Sequence, residues 1–103
     1  MTEDRRTEKR ISRNLSARWD TLSGAYDARI GDISLSGCYV DTNARVVVGE
    51  IISLEIRLAS GEWLRLRGEV TSYQEGVGFG LRFDPLTDRE ENELRELIEG
   101  AYG

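Results

Sequence analysis

The sequence predicts a mainly β fold: a small six-stranded antiparallel β-barrel carrying one C-terminal α-helix. Three observations predict it. Within successive runs between Leu15 and Phe83, apolar residues recur at every second position, the spacing of a strand with one buried face. The runs are separated by short links containing Gly, Ser, Asp and Asn, the residues that turn a chain. Beyond Pro85 the apolar period changes from two to that of a helix.

Residues 1–14 have no period and few apolar groups, so they read as a mobile basic arm, with the barrel and helix in residues 15–103. Leu15, Ala17 and Trp19 alternate with Ser16, Arg18 and Asp20 in a first half-buried strand. Leu22-Ser23-Gly24 is read as a turn. Tyr26, Ala28 and Ile30 then form the apolar face of a second strand, which runs into Asp32. Cys38-Tyr39-Val40 is short and β-prone, and Asp41-Thr42-Asn43 leads out of it. After Gly49, Ile52, Leu54, Ile56 and Leu58 line a fourth strand, and Ala59–Glu62 makes a hairpin link. Leu64, Leu66 and Val70 belong to a fifth, with Gly68 expected at a bend or bulge. Trp63 is out of phase with them and falls on the outer face or at a strand end. Past Glu75-Gly76, Val77, Phe79, Leu81 and Phe83 are expected on one face of the last strand. The other face, Gly78, Gly80 and Arg82, has small residues that allow close approach by a neighbouring backbone or ligand. Thr87-Asp88-Arg89-Glu90 has capping-box spacing, Leu94, Leu97 and Ile98 make the helix stripe, and Gly100 is the expected stop. Successive strands with short links close most simply into a barrel, which leaves no exposed edge.

Composition narrows the function. A chain of 103 residues, 39% hydrophobic and 32% charged, fits one globular domain without a large internal cavity. It has no apolar run near the ~20 residues needed to cross a bilayer, and its charged start lacks the apolar core of a secretory signal. We therefore expect a cytoplasmic location and no membrane insertion. The one cysteine, Cys38, cannot pair internally and reads as a small strand residue. The absence of histidine removes Ser-His-Asp and Cys-His catalysis and histidine-containing zinc sites. No enzyme, metal site or cofactor is expected.

Charge is unevenly placed. Arg5, Arg6, Lys9, Arg10, Arg13 and Arg18 outnumber Glu3, Asp4 and Glu8, so residues 1–18 are at +3 in a chain of net charge −5. The acidic remainder repels a long nucleic acid, whereas a small anion gripped by the arm avoids that repulsion. About twenty residues after the arm, Asp32-Ile33-Ser34-Leu35-Ser36-Gly37 offers a carboxylate, two hydroxyls and a glycine. Arginine donates in parallel to phosphate or guanine and stacks on a base, while a carboxylate accepts from guanine N–H groups. Together the two segments suggest a guanine nucleotide held between arm and body.

These residues resemble the PilZ domain family. The family carries an Arg-x-x-x-Arg motif in an N-terminal arm and an Asp/Asn-x-Ser-x-x-Gly motif on a barrel, the second matched in full by Asp32–Gly37. Val48-Gly49-Glu50, Gly68-Glu69-Val70 and Gly78-Phe79-Gly80-Leu81-Arg82-Phe83 are similar too, so the likeness runs over roughly residues 8–99. The first motif departs from the pattern. Glu8–Arg13 resembles the usual entry but puts Lys9 and Arg13 in the two arginine positions, whereas the strict match is Arg6 with Arg10. Lysine cannot reproduce the bidentate fork. The resemblance implies a stand-alone cyclic di-GMP receptor that acts on an unidentified effector protein. Arg6, Lys9, Arg10 and Arg13 would meet phosphates and guanines. Asp32 would accept from a guanine edge, Ser34 would bond base or phosphate, and Gly37 would permit the turn. The alternative is a degenerate interaction module that no longer binds the nucleotide.

Overall fold

The computed structural model describes residues 15–21 and 24–100. Six strands and one helix follow in order: β1 (Leu15–Thr21), β2 (Gly24–Ile33), β3 (Gly37–Asp41), β4 (Ile51–Arg57), β5 (Trp63–Gln74), β6 (Gly78–Phe83) and α1 (Asp88–Gly100). The basic arm and its Arg6, Lys9, Arg10 and Arg13, as well as Leu22-Ser23, lie outside the described residues.

The strands form a closed barrel in the order β1-β2-β3-β6-β5-β4, with β4 returning to β1 and every pair antiparallel. Simple closure of consecutive hairpins is therefore not what occurs. β3 pairs with β6, and residues 42–50 carry the chain across one barrel end to β4. That crossing is tied down by main-chain bonds from Thr42 N to Val77 O (3.1 Å), Gly49 N to Val70 O (2.8 Å) and Val70 N to Glu50 O (2.9 Å). Val46 is buried within it and anchors it to the core.

The alternating residues of the strands fill the barrel. Trp19, Ile30, Val40, Leu54, Ile56, Val70 and Phe79 are at most 1% exposed. Trp19 packs edge-on to Phe79 at 5.2 Å between centroids and stacks on Tyr26 at 4.6 Å, which leaves Tyr26 at the rim rather than in the core. Two expectations about individual strand positions need correction. Val77 is not on the β6 core face: it is 52% exposed and closes the β5–β6 turn through a bond from its N to Gln74 O (3.0 Å). Gly68 is not at a bulge either. It sits in regular register opposite Ile52 and Phe83, where a Cβ would come within 2.6 Å of Arg82 O and 2.8 Å of Leu81 Cγ, so the glycine serves close strand approach. The bulge of β5 comes at Thr71, between Val70 and Ser72.

The helix starts as its capping box dictates: Glu90 N donates to Thr87 Oγ1 (3.1 Å) and Thr87 N to Glu90 Oε1 (3.0 Å). Asp88, Glu90 and Glu91 stand in the first turn, where the helix dipole favours them. Leu94 and Ile98 are buried and Leu97 packs beside them, each full burial contributing roughly 1.5–3 kcal/mol. Gly100 is the last helical residue rather than the first beyond it. Among the described residues no helix is long and apolar enough to cross a membrane, and no cluster of Cys, Asp and Glu is placed to hold a metal.

Candidate functional site

The Asp32–Gly37 segment is a turn between β2 and β3, built by its own polar groups. Ser34 N donates to Gly37 O (2.8 Å), and the Ser34 hydroxyl lies 3.4 Å from the same oxygen. Ser36 N donates back to Ser34 Oγ (3.3 Å). Ser34 is 1% exposed, the one buried polar side chain among the described residues. Its hydroxyl is spent on the turn and does not face solvent. Phe83 N donates to Ser36 O (2.8 Å), fastening the turn to β6.

Asp32 is placed by a β-bulge. Ile30 pairs with Val40 and Asp32 with Tyr39, so Gly31 is the extra residue in β2. In an unbroken strand Asp32 would share the inward face of Ile30. The bulge shifts the phase, Ile33 takes the next core position, and Asp32 is left half-buried on the outer face. The bulge at Thr71 does the same in β5: Val70 faces the core, and Ser72 faces outward opposite Gly80.

Both bulges border one groove of about 670 Å³ on the outer surface of β2, β3, β6 and β5. Asp32, Ser36, Gly37, Tyr39, Ser72 and Gly80 all line it. Glycines lie beneath it, and the one at position 37 is required. A Cβ at Gly37 would collide with the Leu81 carbonyl oxygen, and one at Gly80 would lie 2.8 Å from Ser72 Oγ. The lining is polar but not cationic. It includes Asp32, Asp41 and Arg82, and the Arg82 guanidinium is bound to Glu69 at 2.9 Å. Cys38 also lines it, and burial first, then the Asp32 charge, pushes its thiol well above the ordinary range. A thiol held protonated is a poor nucleophile.

Of the residues expected at the site, the structure brings Asp32, Ser34 and Gly37 together. Tyr39, Thr71 and Ser72 were not expected there, although the aromatic two places after Gly37 is visible in the chain; Gly80 and Arg82 lie on the β6 face expected to admit a neighbouring backbone or ligand. Trp63 takes no part. It begins β5 beneath two guanidiniums, Arg18 at 4.0 Å and Arg57 at 5.2 Å from its ring, with Arg18 also paired to Glu55 at 2.6 Å.

A family model described as the PilZ domain matches residues 4–100. No curated protein matches the chain. Among solved structures, the PilZ domain of CeSA from a cellulose-synthesizing bacterium is similar at TM-score 0.72 and 18% identity, covering 92% of this chain and 99% of that one. YcgR from Escherichia coli, solved in complex with c-di-GMP, is similar at TM-score 0.78 and 18% identity, over 95% of this chain and 46% of that one. The Bacillus subtilis inhibitor of motility, MotI/DgrA, is similar at TM-score 0.76 and 17% identity, over 95% of this chain and 51% of that one. The chain thus spans about half the length of those last two proteins.

Proposed function

The chain belongs to the PilZ domain family, and from that membership we propose that it is a receptor for cyclic di-GMP. One observation carries the reading. Leu15 opens β1 directly opposite Ile30, so β1 begins one residue along the ladder from the Gly31 bulge and two from Asp32, both of which line the groove.

The division of labour follows from charge. Among the described residues the groove offers two carboxylates and one guanidinium engaged with Glu69, a poor cradle for two phosphates. The cationic contacts then come from Arg10 and Arg13, with Lys9 or Arg6. Asp32 accepts from the N–H edge of a guanine. Ser34 acts through the turn it holds, and Gly37 lets β3 approach β6. Ligand binding orders the arm against the groove, and this changes the surface offered to an effector protein. No step of this is chemical; the chain acts as a receptor rather than an enzyme. The match of the E. coli structure holding c-di-GMP supports the ligand class.

Isothermal titration with cyclic di-GMP tests it. Wild type binds, and Arg13→Ala and Asp32→Ala each weaken binding about tenfold or more, one lost bidentate or edge contact costing ~1–3 kcal/mol. No heat from wild type at tens of micromolar protein would sink the receptor reading and leave the non-binding interaction module, which Lys9 in an arginine position favours. Unchanged affinity in both variants would sink the site assignment.

A further inference from the structure

We propose that Tyr39 is the stacking wall for a purine base in the groove, a role that rests on the receptor reading. Tyr39 stands directly opposite Asp32 across the β2–β3 ladder. Directly opposed side chains start ~5 Å apart, so a base whose edge bonds the carboxylate lies within reach of the phenol. The ring is aimed by two contacts. Its hydroxyl donates to Gln74 Oε1 at 2.9 Å, across β6 from its own strand. Its Cε2 lies 3.0 Å from where a Cβ of Gly78 would be. The ring therefore lies along the sheet over β6, in space that the missing side chain of Gly78 leaves open, instead of standing off it.

Such a ring is half-buried, fixed before any ligand arrives, and part of the groove wall. A fixed aromatic surface loses little entropy on stacking. Stacking suits this lining because it asks nothing of charge, and the groove's own charges are mostly acidic. Asp32 reads the edge of the base, and Tyr39 covers its face.

Titration of cyclic di-GMP into Tyr39→Leu, Tyr39→Phe and wild type separates the possibilities, with thermal melts alongside. Leucine keeps bulk without a π-face, and phenylalanine keeps the face without the Gln74 bond. We expect Tyr39→Leu to bind about tenfold more weakly or worse, and Tyr39→Phe to stay within about threefold of wild type. If wild type binds and Tyr39→Leu binds equally well, the stacking role is overturned while the receptor reading stands. If Tyr39→Phe loses as much as Tyr39→Leu, the hydroxyl rather than the ring matters, and the proposal fails. Should Tyr39→Leu melt below the assay temperature, Gln74→Ala, which frees the ring but keeps it, serves instead. A loss of less than about tenfold there fits stacking, and complete loss of binding refutes it.

Discussion

Replacing Gly37 by alanine would drive a methyl carbon into the Leu81 carbonyl oxygen and to 3.3 Å from both the Leu81 carbonyl carbon and the Arg82 Cα. Every one of those atoms is backbone, so no side chain can swing aside. Relief requires β3 to move off β6, and that movement strains the bonds beside it, from Phe83 N to Ser36 O and from Ser34 N to Gly37 O, both 2.8 Å. Overpacking typically costs ~1–3 kcal/mol, and rigid surroundings put this site at the upper end. We expect a loss of about 3 kcal/mol, read as a lower urea midpoint at unchanged slope. In a domain of this size that lowers the melting temperature by roughly 12 °C or more. Gly100→Ala is the internal control. Its Cβ would meet nothing within 4 Å, and alanine favours the helix, so stability should hold or rise by up to ~1 kcal/mol. A Gly37→Ala protein as stable as Gly100→Ala would refute the claim that the motif glycine is a packing requirement.

Three further outcomes follow from the same contacts. Ser34→Ala removes the buried hydroxyl that meets Gly37 O and Ser36 N and should cost ~1–3 kcal/mol in chemical denaturation even without ligand; no loss would show that the hydroxyl does not hold the turn. Thr87→Ala deletes one half of the capping box and should cost ~1 kcal/mol, visible as a lower melting temperature. The folded Cys38 thiol keeps its proton above pH ~8.5, where the unfolded thiol releases it, so the unfolded state binds fewer protons there. Stability should fall as pH rises above that value, by at most ~1.4 kcal/mol per unit from this group, and Cys38→Ala should show the shallower slope between pH 8 and 10.

The barrel was legible because most of each strand obeys period two and each turn carries its own chemistry. The Asp32–Gly37 turn was legible for the same local reason: its hydroxyls and main chain bond within six residues. The Gly31 bulge left a readable trace as well. The core positions Ile30 and Ile33 are an odd number of residues apart, with a glycine between them, which a strict alternation cannot produce. Val77 misled because alternation from Phe79 extends through it, while the turn closed by its own N–H outranks that pattern. The pairing of β3 with β6 had no local signal, since it joins distant segments through backbone bonds common to any strand. The groove straddles that junction, so Thr71 and Ser72 could not be assigned to the site, nor the open face of Gly80 and Arg82 joined to the Asp32 turn, from the chain alone. Trp63 needed Arg18 and Arg57, which come from β1 and β4.

The β3–β6 junction also fixes when in folding the groove can exist. The β2–β3 hairpin can form early from neighbouring residues, and with it the Asp32 turn. The opposite wall arrives only when Gly37 meets Arg82 and Tyr39 meets Gly80, contacts between segments far apart in the chain that carry the greatest closure cost. A partly folded chain thus holds the motif but not the groove. A ligand seated there favours only the closed barrel and adds RT ln(1 + [L]/Kd) to its stability. On the proposed receptor reading, the ligand's level would then set how long each copy of the protein lasts.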